Sequence, residues 1–163
     1  MNFLVRFMIT IAVTQKISAP VEQVCQVLLA HRQLDRFFNA KIKVIKIEDD
    51  GELIGGKGTV RQISIGKIVF EEEIINASNK HICYRIKGNW PVSNHQGDIY
   101  LTPQFVSPAT SFDSDSKTTQ LDYVIKFNSP KWLPEFLLKF FVGRDIINAM
   151  KKLAEHFVAG NSL

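Results

Sequence analysis

The sequence predicts one α+β domain over residues 1–163, in which a seven-stranded antiparallel sheet packs against a single long C-terminal helix. Apolar and polar residues alternate along most of the chain, as they do in strands with one buried face. After Pro134 the apolar residues recur at helical spacing, and two short helical segments separate the first strand from the others. A chain of 163 residues can bury about 70% of its unfolded surface, which suits a single core.

The first strand is predicted at about residues 8–18, with residues 1–7 as an N-terminal extension ahead of it. Arg6 interrupts the apolar run at the start of the chain, and no clear small-x-small cleavage site follows, so a strand is favoured over a secretion signal. The apolar positions that fit strand alternation are Ile9, Ile11, Val13 and Ile17.

Two short helices are predicted next. Pro20 suits the first helical turn because it lacks a backbone donor, and Val21, Val24 and Leu28 then form one apolar stripe. The second helix runs through Leu34 and the pair at 37–38, two phenylalanines that fit either the core or a pocket wall.

From Lys41 onward the period changes to two, which predicts six strands in succession as an antiparallel meander. The segment 103–118 is rich in Ser, Thr, Asp and Pro and is long for a hairpin connection, so it is predicted to be a mobile loop. The strand sequences are KIKVIKIED, GTVRQISIG, KIVFEEEI, HICYRIKG, GDIYLTPQ and TQLDYVIKFN.

The C-terminal helix is predicted over residues 134–158, with an apolar face directed at the sheet. Gly143 lies within that face at a cost of about 1 kcal/mol in helix propensity. A close approach of another element, room for a ligand or a tolerated irregularity would each explain it. The predicted face comprises Phe136, Phe140, Gly143, Ile147, Met150, Ala154 and Phe157.

Composition limits the function classes only in part. The net charge of +4 is spread along the chain and selects no partner, and no base-stacking motif or groove-reading helix favours nucleic acid. Cys25 and Cys83 lack CxxC or metal spacing, which favours a reduced chain in the cytoplasm. Twelve phenylalanines must be buried in a core or around an apolar ligand.

The stretch TVRQISIGKIVFEEEI, residues 59–74, predicts a hairpin with a two-residue turn at Gly66-Lys67. In that register Arg61 faces Glu72 on the otherwise apolar inner side. Either the two charges orient a ligand or they satisfy only each other, and Arg61 is expected to lower the pKa of Glu72. Continued alternation also points Tyr84 and Tyr123 inward.

Four segments accompany this order of elements: ISAPVEQV, GKGTVRQI, YRIKGNWPVSNHQGDIYLTP and TTQLDYVIKF. Together they resemble the START-like, helix-grip superfamily, also called SRPBCC, and within it the polyketide cyclase/dehydrase and lipid transport-like proteins, over about residues 8–158. Cys25 and Phe37-Phe38 depart from the usual pattern. The resemblance implies a sheet wrapped around the long helix with a ligand chamber between them, and it carries over no universal catalytic motif.

The expected function is the binding or transport of a small hydrophobic or amphipathic ligand such as a lipid, an isoprenoid or a polyketide-like molecule. No cofactor, catalytic residue or metal site is expected, since the four histidines are dispersed and lack metal or triad spacing. The predicted ligand-binding residues are Arg61, Glu72, Tyr84, Tyr123, Phe70, Phe38, Trp90, Phe136 and Phe140.

Two other functions remain open at this point. One is a cyclase or dehydratase with Glu72 as general base and Tyr84 or Tyr123 as donor to a developing enolate. The other is an interaction module that meets a membrane or an acidic macromolecule through Lys41, Lys43 and Lys46, although alternation places Lys46 on the opposite side of the strand.

Overall fold

A computed structural model describes residues 8–48, 53–105 and 117–160. The predicted extension at 1–7 lies outside these residues. The helices are α1 (Val21–Leu29), a 3₁₀ helix (His31–Arg36) and α2 (Glu135–Ala159). The strands are β1 (Met8–Ile17), β2 (Lys41–Lys46), β3 (Val60–Ile65), β4 (Ile68–Ala77), β5 (His81–Ile86), β6 (Ser93–Phe105) and β7 (Lys117–Asn128).

The seven strands form one antiparallel sheet in the order β1-β7-β6-β5-β4-β3-β2. Strands β2 to β7 follow one another as a meander, and β1 joins the far edge beside β7. Helix α2 packs on the same side of the sheet as α1 and lies mainly against β1. The predicted α+β class, seven strands and long C-terminal helix are therefore confirmed.

The hairpin between β3 and β4 has the predicted register. Gly66 supplies a positive φ of 58° in its turn, and Arg61 pairs directly with Glu72. The register of β4 on β5 then shifts between Ile74 and Asn76, so that Tyr84 faces Ile74 and lies one pair along from Glu72. This shift sets the position of the Tyr84 phenol relative to the Glu72 carboxylate. Alternation alone allows Tyr84 to lie either directly beside Glu72 or one pair away from it.

The buried face of α2 differs from the predicted one. It consists of Ile146, Ala149, Met150 and Leu153, roughly a quarter turn from the expected face at 100° per residue. Met150 is buried as expected, but Phe136 and Phe140 are 70% and 61% exposed. The helix carries apolar residues on more than one face. Contact with the sheet determines which of these faces is buried, and the local sequence of the helix does not specify that contact.

The predicted mobile loop at 103–118 is too long. Strand β6 continues to residue 105 and β7 begins at residue 117, with Pro103 paired to Thr119 and Gln104 to Thr118. Pro103 lies beyond Tyr100, the last β6 residue paired with β5, so β6 has a neighbouring strand on one side only at that point. The buried Thr119 also donates a 2.8 Å hydrogen bond to the Ala19 carbonyl. Residues 106–116 lie outside the described part of the chain.

We predict that Gly143→Ala stabilises the protein by about 1 kcal/mol, because alanine loses less backbone entropy in a helix. A Cβ at Gly143 would lie 3.9 Å from Ile11 Cγ2, an ordinary contact, so neither close approach nor ligand room requires glycine here. Urea unfolding measures the change.

Gly66→Ala is the matched control for this measurement. A Cβ at Gly66 would meet nothing within 4 Å, yet the φ of this residue is +58°, which costs an L side chain about 1 kcal/mol. The two variants should therefore change stability in opposite directions. A loss of stability in Gly143→Ala would show that the position needs glycine.

Candidate functional site

A chamber of about 370 Å³ lies between the sheet and α2. Its walls are mainly aliphatic and aromatic side chains from the inner face of the sheet and from the adjacent face of the helix. Polar groups gather at one end, where β3, β4, β5 and β7 bring Arg61, Glu72, Tyr84 and Tyr123 together. The apolar walls include Ile63, Phe70, Ile86, Leu138, Val142 and Ile146.

The central feature of the polar end is the ion pair between Arg61 and Glu72. The guanidinium Nε and Nη2 lie 2.9 Å and 2.8 Å from the same carboxylate atom, Oε2. The residues are only 8% and 7% exposed. The other carboxylate oxygen, Oε1, accepts no hydrogen bond from any residue that the structure describes.

Burial changes the electrostatics of this pair. Removal from water raises the pKa of Glu72 and outweighs the opposing effect of Arg61, contrary to the sequence-based expectation that the arginine would lower it. Burial also disfavours the Arg61 cation, but the combined effects of Glu72, Tyr84 and Tyr123 outweigh it, and the pKa of Arg61 is raised. The guanidinium therefore remains charged.

His31 anchors the far side of the guanidinium. Its Nε2 lies 2.7 Å from the Gly55 carbonyl oxygen, and its Nδ1 lies 3.2 Å from Arg61 Nη1. Arginine can only donate, so Nδ1 is the acceptor and Nε2 carries the proton. Burial, then the nearby cation, lowers the pKa of His31 to about 4. The neutral ring thus holds Arg61 in place without competing for Glu72.

Two glycines permit this packing. Gly55 has a φ of +76°, and a Cβ there would lie 2.6 Å from the Leu29 carbonyl oxygen and 3.2 Å from the His31 ring. Gly97 is the cross-strand partner of Tyr84, and a Cβ there would overlap the phenol ring. Both positions therefore need glycine to place polar side chains at the end of the chamber.

Tyr84 and Tyr123 are hydrogen-bonded to each other through their hydroxyl groups. Both are buried, and desolvation raises both pKa values, with the neighbouring Tyr123 as the next cause for Tyr84. The Arg61 guanidinium carbon lies 5.0 Å from the centre of the Tyr84 ring, within reach of a cation–π contact. The two phenols are therefore neutral hydrogen-bonding groups beside the ion pair.

His95 completes the polar end. The backbone N–H of Ile86 donates to its Nδ1 over 3.3 Å, so the neutral ring carries its proton on Nε2. Burial, then Arg61, lowers the pKa of His95 to about 4. The ring lines the chamber and lies 5.5 Å from that of Tyr84, measured between centres.

Six of the predicted ligand-binding residues line the chamber, and their contact with a ligand stays a prediction. These six are Arg61, Glu72, Tyr84, Tyr123, Phe70 and Phe38. Three predicted residues do not line it: Trp90, which is 53% exposed, and the two outward-facing residues of α2, Phe136 and Phe140. Pro91, Val92, Trp132 and Phe141 border the chamber instead, and two of them, Pro91 and Phe141, directly follow the predicted Trp90 and Phe140 in the sequence.

Neither of the two histidines at the site, His31 and His95, is among the predicted ligand-binding residues. His31 is buried together with Leu34, three residues further on in the 3₁₀ helix, and this spacing of one 3₁₀ turn could have indicated an inward-facing histidine. His95 lies where the register of β6 on β7 shifts between Ser93 and Gln96. A strand irregularity reverses the facing of the residues beyond it, so simple alternation fails there.

One group with metal-ligand chemistry lies on the opposite face of the sheet. Ligand atoms of His81, Cys83 and Asp98 all lie within 4.8 Å of one another, although the sequence predicted no metal site. His81 Nε2 is 2.7 Å from Asp98 Oδ1, and Gln96 donates to Oδ2 over 2.8 Å. Hydrogen bonding among these side chains accounts for their arrangement.

We predict that the protein loses stability as the pH falls from 6.5 towards 4, in part because the neutral His31 must be protonated. An ordinary histidine titrates near 6.5, so the unfolded state binds more protons in this window. The shift of His31 to about 4 corresponds to roughly 3 kcal/mol. Chemical unfolding at pH 7 and pH 4.5 should show a smaller loss for His31→Gln than for the unchanged protein.

Glu72 acts in the opposite direction, because its raised pKa favours proton uptake by the folded state. Glu72 and His95 are present in both proteins. The difference between the two proteins in the stability lost from pH 7 to pH 4.5 therefore reports on His31. An identical pH dependence in His31→Gln and the unchanged protein would contradict the assignment.

Comparison with known proteins identifies the family. The profile described as "Polyketide cyclase / dehydrase and lipid transport" matches residues 8–158. Comparison with curated protein sequences gave no match.

Solved structures share the fold at low sequence identity. The protein XoxI from Bacillus cereus is 14% identical with a TM-score of 0.65, and the match covers 94% of this chain and 99% of that one. A putative uncharacterized protein from Bacillus thuringiensis is 16% identical with a TM-score of 0.62, covering 92% and 99%. A START superfamily protein from Mycobacterium smegmatis is 12% identical with a TM-score of 0.71, covering 92% and 97%. The chain therefore belongs to the polyketide cyclase/dehydrase and lipid transport family and has the START-like fold.

Proposed function

We propose that this protein binds a small hydrophobic or amphipathic molecule in the chamber and carries or senses it. One observation supports this most directly: a chamber of about 370 Å³ has apolar walls and a few polar groups that converge at one end. This combination is typical of small-molecule sites, in which apolar walls provide affinity and a few polar groups fix orientation.

The volume indicates the size of the ligand. At about 30 Å³ for a water-sized group, the chamber holds on the order of a dozen such groups. A ligand with an apolar chain or ring system of this size would fill it, with its polar group at Arg61 and Glu72. Lipid, isoprenoid and polyketide-like fragments all fall within this class.

A cyclase or dehydratase is the second candidate. The raised pKa of Glu72 and its unpaired Oε1 favour this function, since a general base needs an accessible oxygen and a pKa nearer neutrality. The fixed contacts of Oε2 with two arginine nitrogens oppose it, because they hold the carboxylate in one orientation. We therefore favour binding without conversion.

The chamber opening supports contact with a membrane surface. Trp132 and Phe141 border the chamber and are exposed, and Phe136 and Phe140 lie exposed on the same end of α2. We call these four residues the aromatic rim. The Arg144 guanidinium carbon lies 6.0 Å and 5.3 Å from the ring centres of Phe140 and Phe141. Aromatic rings beside cations suit the interface of an anionic bilayer.

The rim replaces the basic patch on β2 as the proposed membrane surface. Lys46 is ion-paired with Glu48. Lys41 and Lys43 lie on β2, at the edge of the sheet opposite to β1, whereas α2 and its exposed aromatic residues lie against β1. Within the described ranges, no helix is long and apolar enough to cross a bilayer. A cytoplasmic location is part of the proposal, because a reducing compartment suits the free thiols of Cys25 and Cys83.

We predict that Leu138→Trp weakens the binding of the apolar dye N-phenylnaphthylamine about tenfold, because the larger ring occupies chamber volume. Phe136→Trp makes a similar substitution on the exposed face of the same helix and should leave the affinity unchanged. Fluorescence titration measures both. Equal affinity in the two variants, or no binding by the unchanged protein, would contradict a ligand-binding chamber. A mass change in a bound ligand during incubation would favour the enzyme.

We predict that the double variant Phe136→Ser/Phe140→Ser reduces binding to vesicles of phosphatidylcholine and phosphatidylserine about tenfold, because both exposed rings are lost. The control Ile45→Ser/Val69→Ser removes two exposed apolar residues from β2 and β4 and should not change binding. Sedimentation at low and high salt measures the effect. Absence of vesicle binding by the unchanged protein at both salt levels would rule out the membrane contact.

A further inference from the structure

We propose that the polar end of the chamber recognises an uncharged hydroxyl group, so that the ligand is an apolar alcohol or phenol and not the matching carboxylate. This inference rests on the proposed ligand-binding function and specifies the chemistry at the same site. Its basis is the hydrogen-bonding capacity that the protein leaves unused around Glu72.

Glu72 requires a donor from the ligand. The residue is 7% exposed and lines the chamber, and both Arg61 nitrogens contact Oε2. Oε1 receives no hydrogen bond from the described part of the chain. No fully buried side-chain nitrogen or oxygen of the described residues lacks a hydrogen-bond partner, so Oε1 is open to the chamber, where water can reach it. A ligand that displaces this water and donates a hydrogen bond to Oε1 keeps the carboxylate satisfied, whereas a ligand that only accepts hydrogen bonds does not.

The charge balance disfavours a carboxylate. Arg61 is the one lysine or arginine among the described residues that line the chamber, and it is engaged with Glu72 and His31. A ligand carboxylate would lie beside the Glu72 carboxylate without an uncommitted cation to offset the repulsion. It would also bring no hydrogen for Oε1.

The two tyrosines and His95 require that the ligand also accept a hydrogen bond. Tyr84 and Tyr123 share one hydrogen bond, in which one hydroxyl donates to the other and the second hydroxyl hydrogen stays available. His95 presents its Nε2 proton in the neutral ring and also lines the chamber. A group that accepts from these donors and donates to Oε1 has the properties of a hydroxyl.

Other polar groups fit less well. A ketone accepts but leaves Oε1 without a donor. An ammonium donates to Oε1 but would lie against the Arg61 cation, and it cannot accept from His95 or the phenol pair. A hydroxyl meets each of these requirements without adding charge to a buried site.

The experiment compares dodecanol, dodecanoate and dodecylamine as competitors of N-phenylnaphthylamine at pH 7. These compounds share one chain and differ only in the terminal group. We expect dodecanol to bind at least about tenfold more tightly than dodecanoate. Glu72→Gln should reverse this order, because it removes the negative charge and leaves Arg61 free to pair with the carboxylate.

Glu71→Gln is the matched control. Glu71 is the adjacent residue on β4, faces the other side of the sheet and pairs with Lys87 at 3.5 Å, so dodecanol should keep its preference. Circular dichroism checks the fold of each variant. If Glu72→Gln fails to fold, the double variant Arg61→Met/Glu72→Leu serves in its place and should bind dodecanol at least about tenfold more weakly than the unchanged protein, because the acceptor for its hydroxyl is gone.

The outcomes separate the two proposals. If neither the dye nor any dodecyl compound binds the unchanged protein, the ligand-binding function is wrong. If the dye binds but dodecanoate or dodecylamine competes as well as dodecanol, the hydroxyl proposal is wrong and the binding function stands. An unchanged order of affinities in Glu72→Gln, or an unchanged affinity of the double variant for dodecanol, would likewise overturn the role of Glu72.

Discussion

The buried ion pair between Arg61 and Glu72 is the interaction around which the polar end of the chamber is organised. Two charges taken out of water carry a large desolvation cost, and a hydrophobic pair in their place is often at least as stable. Their retention is therefore poorly explained by stability alone. Once buried, each charge needs the other, and removal of one partner would leave an unpaired charge inside the protein.

Neighbouring elements hold this pair through contacts that leave its chamber side open. The Gly55 loop fixes the tautomer of His31, and His31 in turn accepts from the guanidinium. The close approach of Tyr84 to Gly97 places a phenol ring over the same cation. Among the residues that the structure describes, every hydrogen bond to the carboxylate ends on Oε2, which leaves Oε1 open to the chamber where a ligand would lie.

Helix α2 gives the molecule two apolar surfaces with different roles. Its inner face closes the chamber with residues such as Leu138 and Val142, while Phe136 and Phe140 are exposed and do not line the chamber. The chamber and the aromatic rim are joined by Phe141, whose ring packs edge-on against Phe140 at 5.4 Å between centres. This contact links the lining of the chamber to the exposed aromatic side chains, which supports the proposed contact with a bilayer.

By itself the sequence determined the features that depend on local geometry. Strand alternation and the Gly66-Lys67 turn set the pairing of Arg61 with Glu72, because side chains in a strand repeat every two residues and a two-residue turn leaves one register. The tertiary structure decided the features that local periodicity does not specify. Strand irregularities set the offset of Tyr84 and the position of His95, and packing on the sheet selected one of several apolar faces on α2. These outcomes depend on contacts between residues far apart in the chain, and therefore only the folded molecule shows which groups face the chamber and which face the solvent.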